Sequence, residues 1–184
     1  MQTSRREFLT LTSVAGVGLA TSPATLFCDE KPTEKKFKKA VKLYMVRPGE
    51  TLLEALHAHH LKGTKLICGT GDCCGCGVML NGNSINACCM LAAQAEDGDL
   101  LTVEGLTQNG KLHPIQEAFA QEGAAQCGYC TPGFIMRAYA FLQEHPHPDE
   151  TEVRAALAGN ICRCTGYVKP VAAVLRAAEL MQEQ

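Results

Sequence analysis

At 184 residues, 46 % of them apolar, the chain has room for one mid-sized domain or two small ones with a real core. A formal net charge of -2 draws the molecule neither toward nucleic acid nor toward an acidic membrane surface. Eleven cysteines are the exception to an ordinary composition, and their odd number excludes complete pairing into internal disulfides.

The chain opens with Ser4-Arg5-Arg6-Glu7-Phe8-Leu9 and continues in an apolar run from Leu9 to Ala20, too short and too rich in Gly and Thr to span a bilayer. Paired arginines ahead of such a run resemble the twin-arginine export signal of bacteria, so residues 1–24 are read as a signal peptide. Cleavage after Ala24 fits the small-x-small rule with Ser22, and it removes two of the 17 basic and one of the 19 acidic residues. Residues 25–39 are Lys-rich and broken by Pro32, which predicts a solvated linker.

Residues 41–47 alternate as a strand does, and 51–60 follow a helical period. Segments 76–80 and 84–88 suit a hairpin about Asn81-Gly82, and 100–104 suits a closing strand. His57, His59 and His60 fall on the first helix and are read as surface residues, because no carboxylate or cysteine shares their spacing. After the linker Thr107-Gln108-Asn109-Gly110 the period turns helical over 113–124, 132–144, 149–158 and 168–182, enough for a four-helix bundle. The predicted fold is α+β, with one small domain over 40–108 and a helical one over 109–184.

Two cysteine quartets carry the chemistry. Cys68-x4-Cys73-x2-Cys76, with Cys88 eleven residues beyond, is the plant-type spacing for a [2Fe-2S] cluster. A rhombic two-iron cluster needs three thiolates from one tight loop and a fourth from a neighbouring element. Gly69, Gly71, Gly75 and Gly77 interleave the ligands and let backbone N–H groups approach the sulfurs. A zinc site would more often show paired C-x2-C knuckles. Cys127-Gly-Tyr-Cys130 and Cys162-Arg-Cys164 make the second quartet, which taken alone also suits zinc or a redox dithiol. Each half of it precedes a helix, with Thr131 expected as N-cap and Pro132 at the first helical position.

With these residues in view, the chain resembles the iron–sulfur small subunit of the molybdenum hydroxylases, the family of xanthine dehydrogenase and aldehyde oxidoreductase. The likeness runs from about residue 41 to 182. It is carried by both quartets and by Gly63-Thr64-Lys65, Asn86-Ala87-Cys88, Val103-Glu104-Gly105-Leu106, His113-Pro114-Ile115-Gln116, Gln126-Cys127-Gly128-Tyr129-Cys130-Thr131-Pro132-Gly133 and Gly159-Asn160-Ile161-Cys162-Arg163-Cys164-Thr165-Gly166-Tyr167. The resemblance implies a β-grasp ferredoxin-like domain ahead of the helical one, and two [2Fe-2S] clusters. It also implies a molybdopterin cofactor on a large partner subunit, touched by Gln126, and a flavin subunit or cytochrome as acceptor. Nothing in it implies nucleic-acid binding or a membrane-spanning segment.

The departures are cysteines. Cys74 stands where the family usually has glycine, and Cys89 follows the expected fourth ligand, leaving Cys28, Cys74 and Cys89 outside the quartets. Cys89 is expected to be a small buried hydrophobe, whereas Cys74 threatens the loop's backbone or offers a competing thiolate. No Gly-rich dinucleotide loop, Walker sequence or defensible nucleophile–base pair is present, so substrate chemistry is expected on the partner. A free-standing two-cluster carrier and a colourless zinc module are the rival readings.

Thiols threaded unfolded into an oxidising periplasm would meet disulfide chemistry before iron, which favours cytoplasmic loading and folded export. Replacing Arg5 and Arg6 together by Lys is expected to strand holo-protein in the cytoplasm. Cell fractionation with iron analysis checks this, and undiminished periplasmic holo-protein would refute it.

Overall fold

The computed structural model describes residues 49–183. The segments read as signal peptide and linker, Cys28 and the strand expected at 41–47 lie outside them.

Thr51 caps the first helix, α1 (Leu52–Ala58), through a reciprocal pair in which the Glu54 N–H donates to Thr51 Oγ1 and the Thr51 N–H donates to the Glu54 carboxylate. Leu52, Leu53 and Leu56 are almost fully buried, each contributing about 1.5–3 kcal/mol of transfer free energy. The helix stops earlier than its period suggests: His59 caps it and His60 takes a left-handed φ of 64°. His57 departs from the surface reading. It is half-buried, and its Nε2 lies 2.6 Å from the Thr64 carbonyl, pinning the start of the first cysteine loop.

Strands β1 (Gly77–Leu80) and β2 (Asn83–Asn86) form the expected hairpin, and β3 (Leu100–Leu101) pairs with the other edge of β1, giving the antiparallel order β2-β1-β3. Asn81 and Gly82 both have positive φ, 50° and 80°, as a two-residue turn of primed type requires. Every residue of β1 is buried because two cores claim it alternately. Val78 and Leu80 join α1, Ala87 and Ala95 on one side, while Met79 joins the helical core on the other. The third strand is shorter than the expected 100–104. It ends at Leu101, and a 3-10 turn, Val103–Leu106, takes over because its residues turn to meet the helices.

The helical part comprises α2 (Pro114–Gln121), α3 (Thr131–Glu144), α4 (Glu150–Leu157) and α5 (Val168–Gln182), near the expected bounds. Ile115, Phe134, Met136, Val153 and Val174 fill their common core. Asp149 and Glu152 form a capping box on α4. Thr131 is the first residue of α3 and not its cap; Cys130 holds the cap position, and Pro132 follows in the first turn, where its missing N–H costs nothing. Among the described residues no helix is long and apolar enough to cross a membrane.

His113 caps α2. Its Nδ1 accepts the Ile115 N–H at 3.3 Å, while the Gln116 side chain accepts the His113 N–H at 3.0 Å and donates to the Val103 carbonyl at 3.0 Å. Burial holds the imidazole below its ordinary 6.5, and the cap needs an unprotonated Nδ1. The unfolded chain binds this proton more readily than the folded one, so the contribution is complete above 6.5 and is lost progressively as pH falls from there toward the lower folded-state value. Urea denaturation between about pH 7.5 and about pH 5 is expected to show a falling midpoint. His113→Asn, which caps without titrating, is expected to flatten that slope.

Candidate functional site

The first quartet is assembled by a loop and a hairpin. Cys68, Cys73 and Cys76 lie on the segment that enters β1, and Cys88 lies in the 3-10 turn, Ala87–Cys89, that leaves β2. The register Gly77↔Asn86, continued by the Ala87 N–H to the Cys76 carbonyl at 3.2 Å, returns the chain beside its starting point. That return explains the spacing between Cys76 and Cys88. Gly69 and Gly71 supply left-handed turns of the loop, with φ of 73° and 86°. Asn86 Nδ2 ties the loop to the hairpin through the Gly71 carbonyl at 3.0 Å.

The second quartet is built from two helix entrances. Cys127 and Cys130 precede α3, and Cys162 and Cys164 precede α5. Tyr167, at φ 68°, turns the chain into α5, and its hydroxyl accepts the Cys162 N–H at 3.0 Å.

All ten cysteines among the described residues are free thiols. Within each quartet the thiols act on one another in twos: Cys68 with Cys73, Cys76 with Cys88, Cys130 with Cys162 and Cys127 with Cys164. A rhomb of two irons needs two thiolates per iron, and this donor set fits it. Among the described residues no three His, Cys, Asp or Glu side chains converge as a single metal ion needs.

The thiols are electrostatically uneven. Hydrogen bonds from Thr70 and then Cys73 bring Cys68 down to about 5. Burial, then its neighbours Cys162 and Cys127, pushes Cys130 up to about 12. For Cys162 burial pulls upward, but donation from the Thr165 hydroxyl at 3.1 Å, its N–H at 3.4 Å and the Cys164 N–H outweighs it, settling near about 7. N–H and O–H groups aimed at sulfur stabilise a thiolate, and a metal site must bind all its cysteines in that form.

The two loops meet through backbone. The Ile161 N–H donates to the Cys73 carbonyl at 3.1 Å, and Asn160 Nδ2 donates to the Cys74 carbonyl at 3.2 Å from a side chain only 2 % exposed. A Cβ on Gly133 would overlap the Cys74 carbonyl oxygen, so glycine there permits α3 to lie directly on the first loop. Tyr129 adds a hydrogen bond from its hydroxyl to the Leu66 carbonyl at 3.4 Å.

Residues 102–175 match the [2Fe-2S] binding domain family. The chain is 43 % identical over 136 residues to the nicotinate dehydrogenase small FeS subunit of Eubacterium barkeri, covering 73 % of this chain and 87 % of that protein. It is 45 % identical over 133 residues to the xanthine dehydrogenase iron-sulfur-binding subunit of Escherichia coli O157:H7, covering 70 % and 82 %. The crystal structure of quinoline 2-oxidoreductase from Pseudomonas putida 86 contains a similar chain, with a TM-score of 0.72 at 40 % identity over 75 % of this chain and 87 % of that one.

This chain is a small [2Fe-2S] subunit of the molybdenum hydroxylase family. It is thus the iron–sulfur electron-transfer subunit of an oxidoreductase complex.

The small subunit's two departures are now placed. Cys74 adopts φ 52°, the left-handed region where glycine is relaxed and another residue costs about 1–2 kcal/mol. Its sulfur turns toward Asn86 Nδ2, 3.6 Å away, and toward Gly159. Cys89 is exposed and not a buried hydrophobe, because the 3-10 turn faces it outward. Gln126 is exposed beside the equally exposed Cys127.

Several supporting residues were visible in the sequence only as members of motifs. Gly63 donates its N–H to the Glu104 carboxylate, and Gln116, Asn160 and Gly133 act as described above. Gly133→Ala is expected to force α3 away from Cys74-Gly75 and to lower stability by about 1–3 kcal/mol. A drop in the urea midpoint checks this, and an unchanged midpoint would show that the loops are not held by this contact.

Proposed function

We propose that the small subunit carries electrons one at a time from the molybdopterin site of a large partner subunit to an external acceptor. In this reading Cys127, Cys130, Cys162 and Cys164 would hold the cluster nearer the partner, and Cys68, Cys73, Cys76 and Cys88 would hold the one nearer the acceptor. A bound [2Fe-2S] cluster supplies a one-electron carrier, near about -400 mV in plant-type sites before local tuning.

The observation that carries the proposal is the Ile161–Cys73 hydrogen bond. Ile161 is covalently joined to Cys162 of the second quartet, and Cys73 belongs to the first, so one peptide link and one hydrogen bond connect the two ligand sets. Asn160 and Gly133 flank that link with a second hydrogen bond and a close backbone approach, both at Cys74. Thr70 and Thr165 aim donors at Cys68 and Cys162, favouring the charged form of each sulfur. Tyr129, Ile161, Tyr167 and Val168 expose apolar surface around the second quartet, which supports placing the partner there, with exposed Gln126 touching the pterin. The acceptor is a flavin subunit or a cytochrome. Domains at 40–108 and 109–184 would carry one cluster each, and export in folded form to the periplasm follows from the Arg5-Arg6 leader.

In the assembled complex, Cys127→Ala is expected to abolish substrate-dependent reduction of the first cluster while dithionite still reduces it. EPR after each reductant checks this. Normal reduction of both clusters by substrate would refute the order.

A further inference from the structure

Cys89 does not stand alone. Its Sγ lies 3.7 Å from Cys88 Sγ. Two thiolates on one tetrahedral metal at about 2.3 Å stand about 3.8 Å apart, so Cys89 Sγ, as near as it is to Cys88 Sγ, lies within reach of the metal that Cys88 would hold. The loop leaves room for this sulfur: a Cβ on Gly71 would sit 2.6 Å from Cys89 Sγ. The 3-10 turn therefore presents two successive thiols to one locus, the inner one buried and the outer one exposed. Cys74, the other surplus thiol of the loop, turns instead toward Asn86 and Gly159, at the contact with the helices.

We propose that Cys89 is a reserve ligand of the first cluster, able to replace Cys88 on the same iron. The inference rests on the assignment of Cys68, Cys73, Cys76 and Cys88 to that cluster. In the exchange the Cys89 thiol loses its proton to water and its sulfur bonds to iron. The iron–sulfur bond to Cys88 breaks, and the released thiolate takes up a proton. No electron moves. The exchange replaces a buried ligand by an exposed one, and solvent exposure is among the factors that set cluster potentials, so the two ligand sets differ in potential and EPR signature.

The test compares wild type, Cys88→Ala and Cys88→Ala/Cys89→Ala in the full-length chain, by iron and acid-labile sulfide analysis, EPR of the reduced protein and alkylation of Cys89 by iodoacetamide. The wild type is expected to hold about four irons, with Cys89 open to alkylation. Cys88→Ala is expected to keep about four, with shifted g-values for the first cluster and Cys89 protected, while the double variant falls to about two. The second-cluster signal reports on folding. If Cys88→Ala lacks it, Cys88→Ser is read instead, with protection of Cys89 as the deciding measurement. Loss of two irons in Cys88→Ala with the second signal intact, or an unprotected Cys89 in a variant that keeps the first cluster, would overturn the exchange. A wild-type chain holding only about two irons, with the second-cluster signal alone, would overturn the assignment of four thiolates to the first cluster and the exchange with it.

Discussion

The contact between Ile161 and Cys73 joins two segments that are far apart along the chain, and much of the small subunit's architecture serves to make it possible. Backbone groups meet at hydrogen-bonding distance only where side chains stand aside, which is the role of Gly133 against Cys74 and Gly75. The neighbouring Cys74 carbonyl would be costly to bury without a partner, and Asn160 supplies one. Because the amide of Asn160 is itself almost fully buried, it is held in one orientation and fixes the loop that precedes Cys162. The same few atoms therefore hold the loop that carries Cys73 against the loop that carries Cys162.

Around that contact the thiols are prepared unevenly. Cys68 and Cys162 receive hydroxyl or amide donors, whereas Cys130 is pressed upward by burial and by its neighbours. Free thiols in twos repel once both are ionised, so the apo site resists losing all its protons and the metal has to compensate. Cluster loading and correct loop geometry are in this sense one process.

Much of this was legible along the chain. The grouping of the cysteines was legible because their spacing is set by local geometry: a tight loop for Cys68 to Cys76, and a hairpin of fixed length for the return to Cys88. Asn81-Gly82 announced the turn, and the periods of α2 to α5 announced the helices. What stayed hidden depends on distant partners. Gln116 reaches a carbonyl 13 residues back, and Asn160 reaches one 86 residues back, so neither role has a local signature. The shortened β3 and the displaced cap of α3 reflect tertiary contacts overriding local preference. His57 read as surface because the sequence does not show that the chain folds back to bring the Thr64 carbonyl to its ring. Cys89 read as core because a small apolar side chain usually goes inward, and the 3-10 turn rotates it out.

The division of β1 between two cores also bears on how the molecule holds together over time. Met79 belongs to the helical side and Val78 with Leu80 to the α1 side, so a slip of one residue would exchange every partner at once. Neither core can open at this strand without exposing the other, which makes the two halves one cooperative unit even though each has its own apolar interior. Two groups of thiols carried on different loops thus depend on a single strand of four residues.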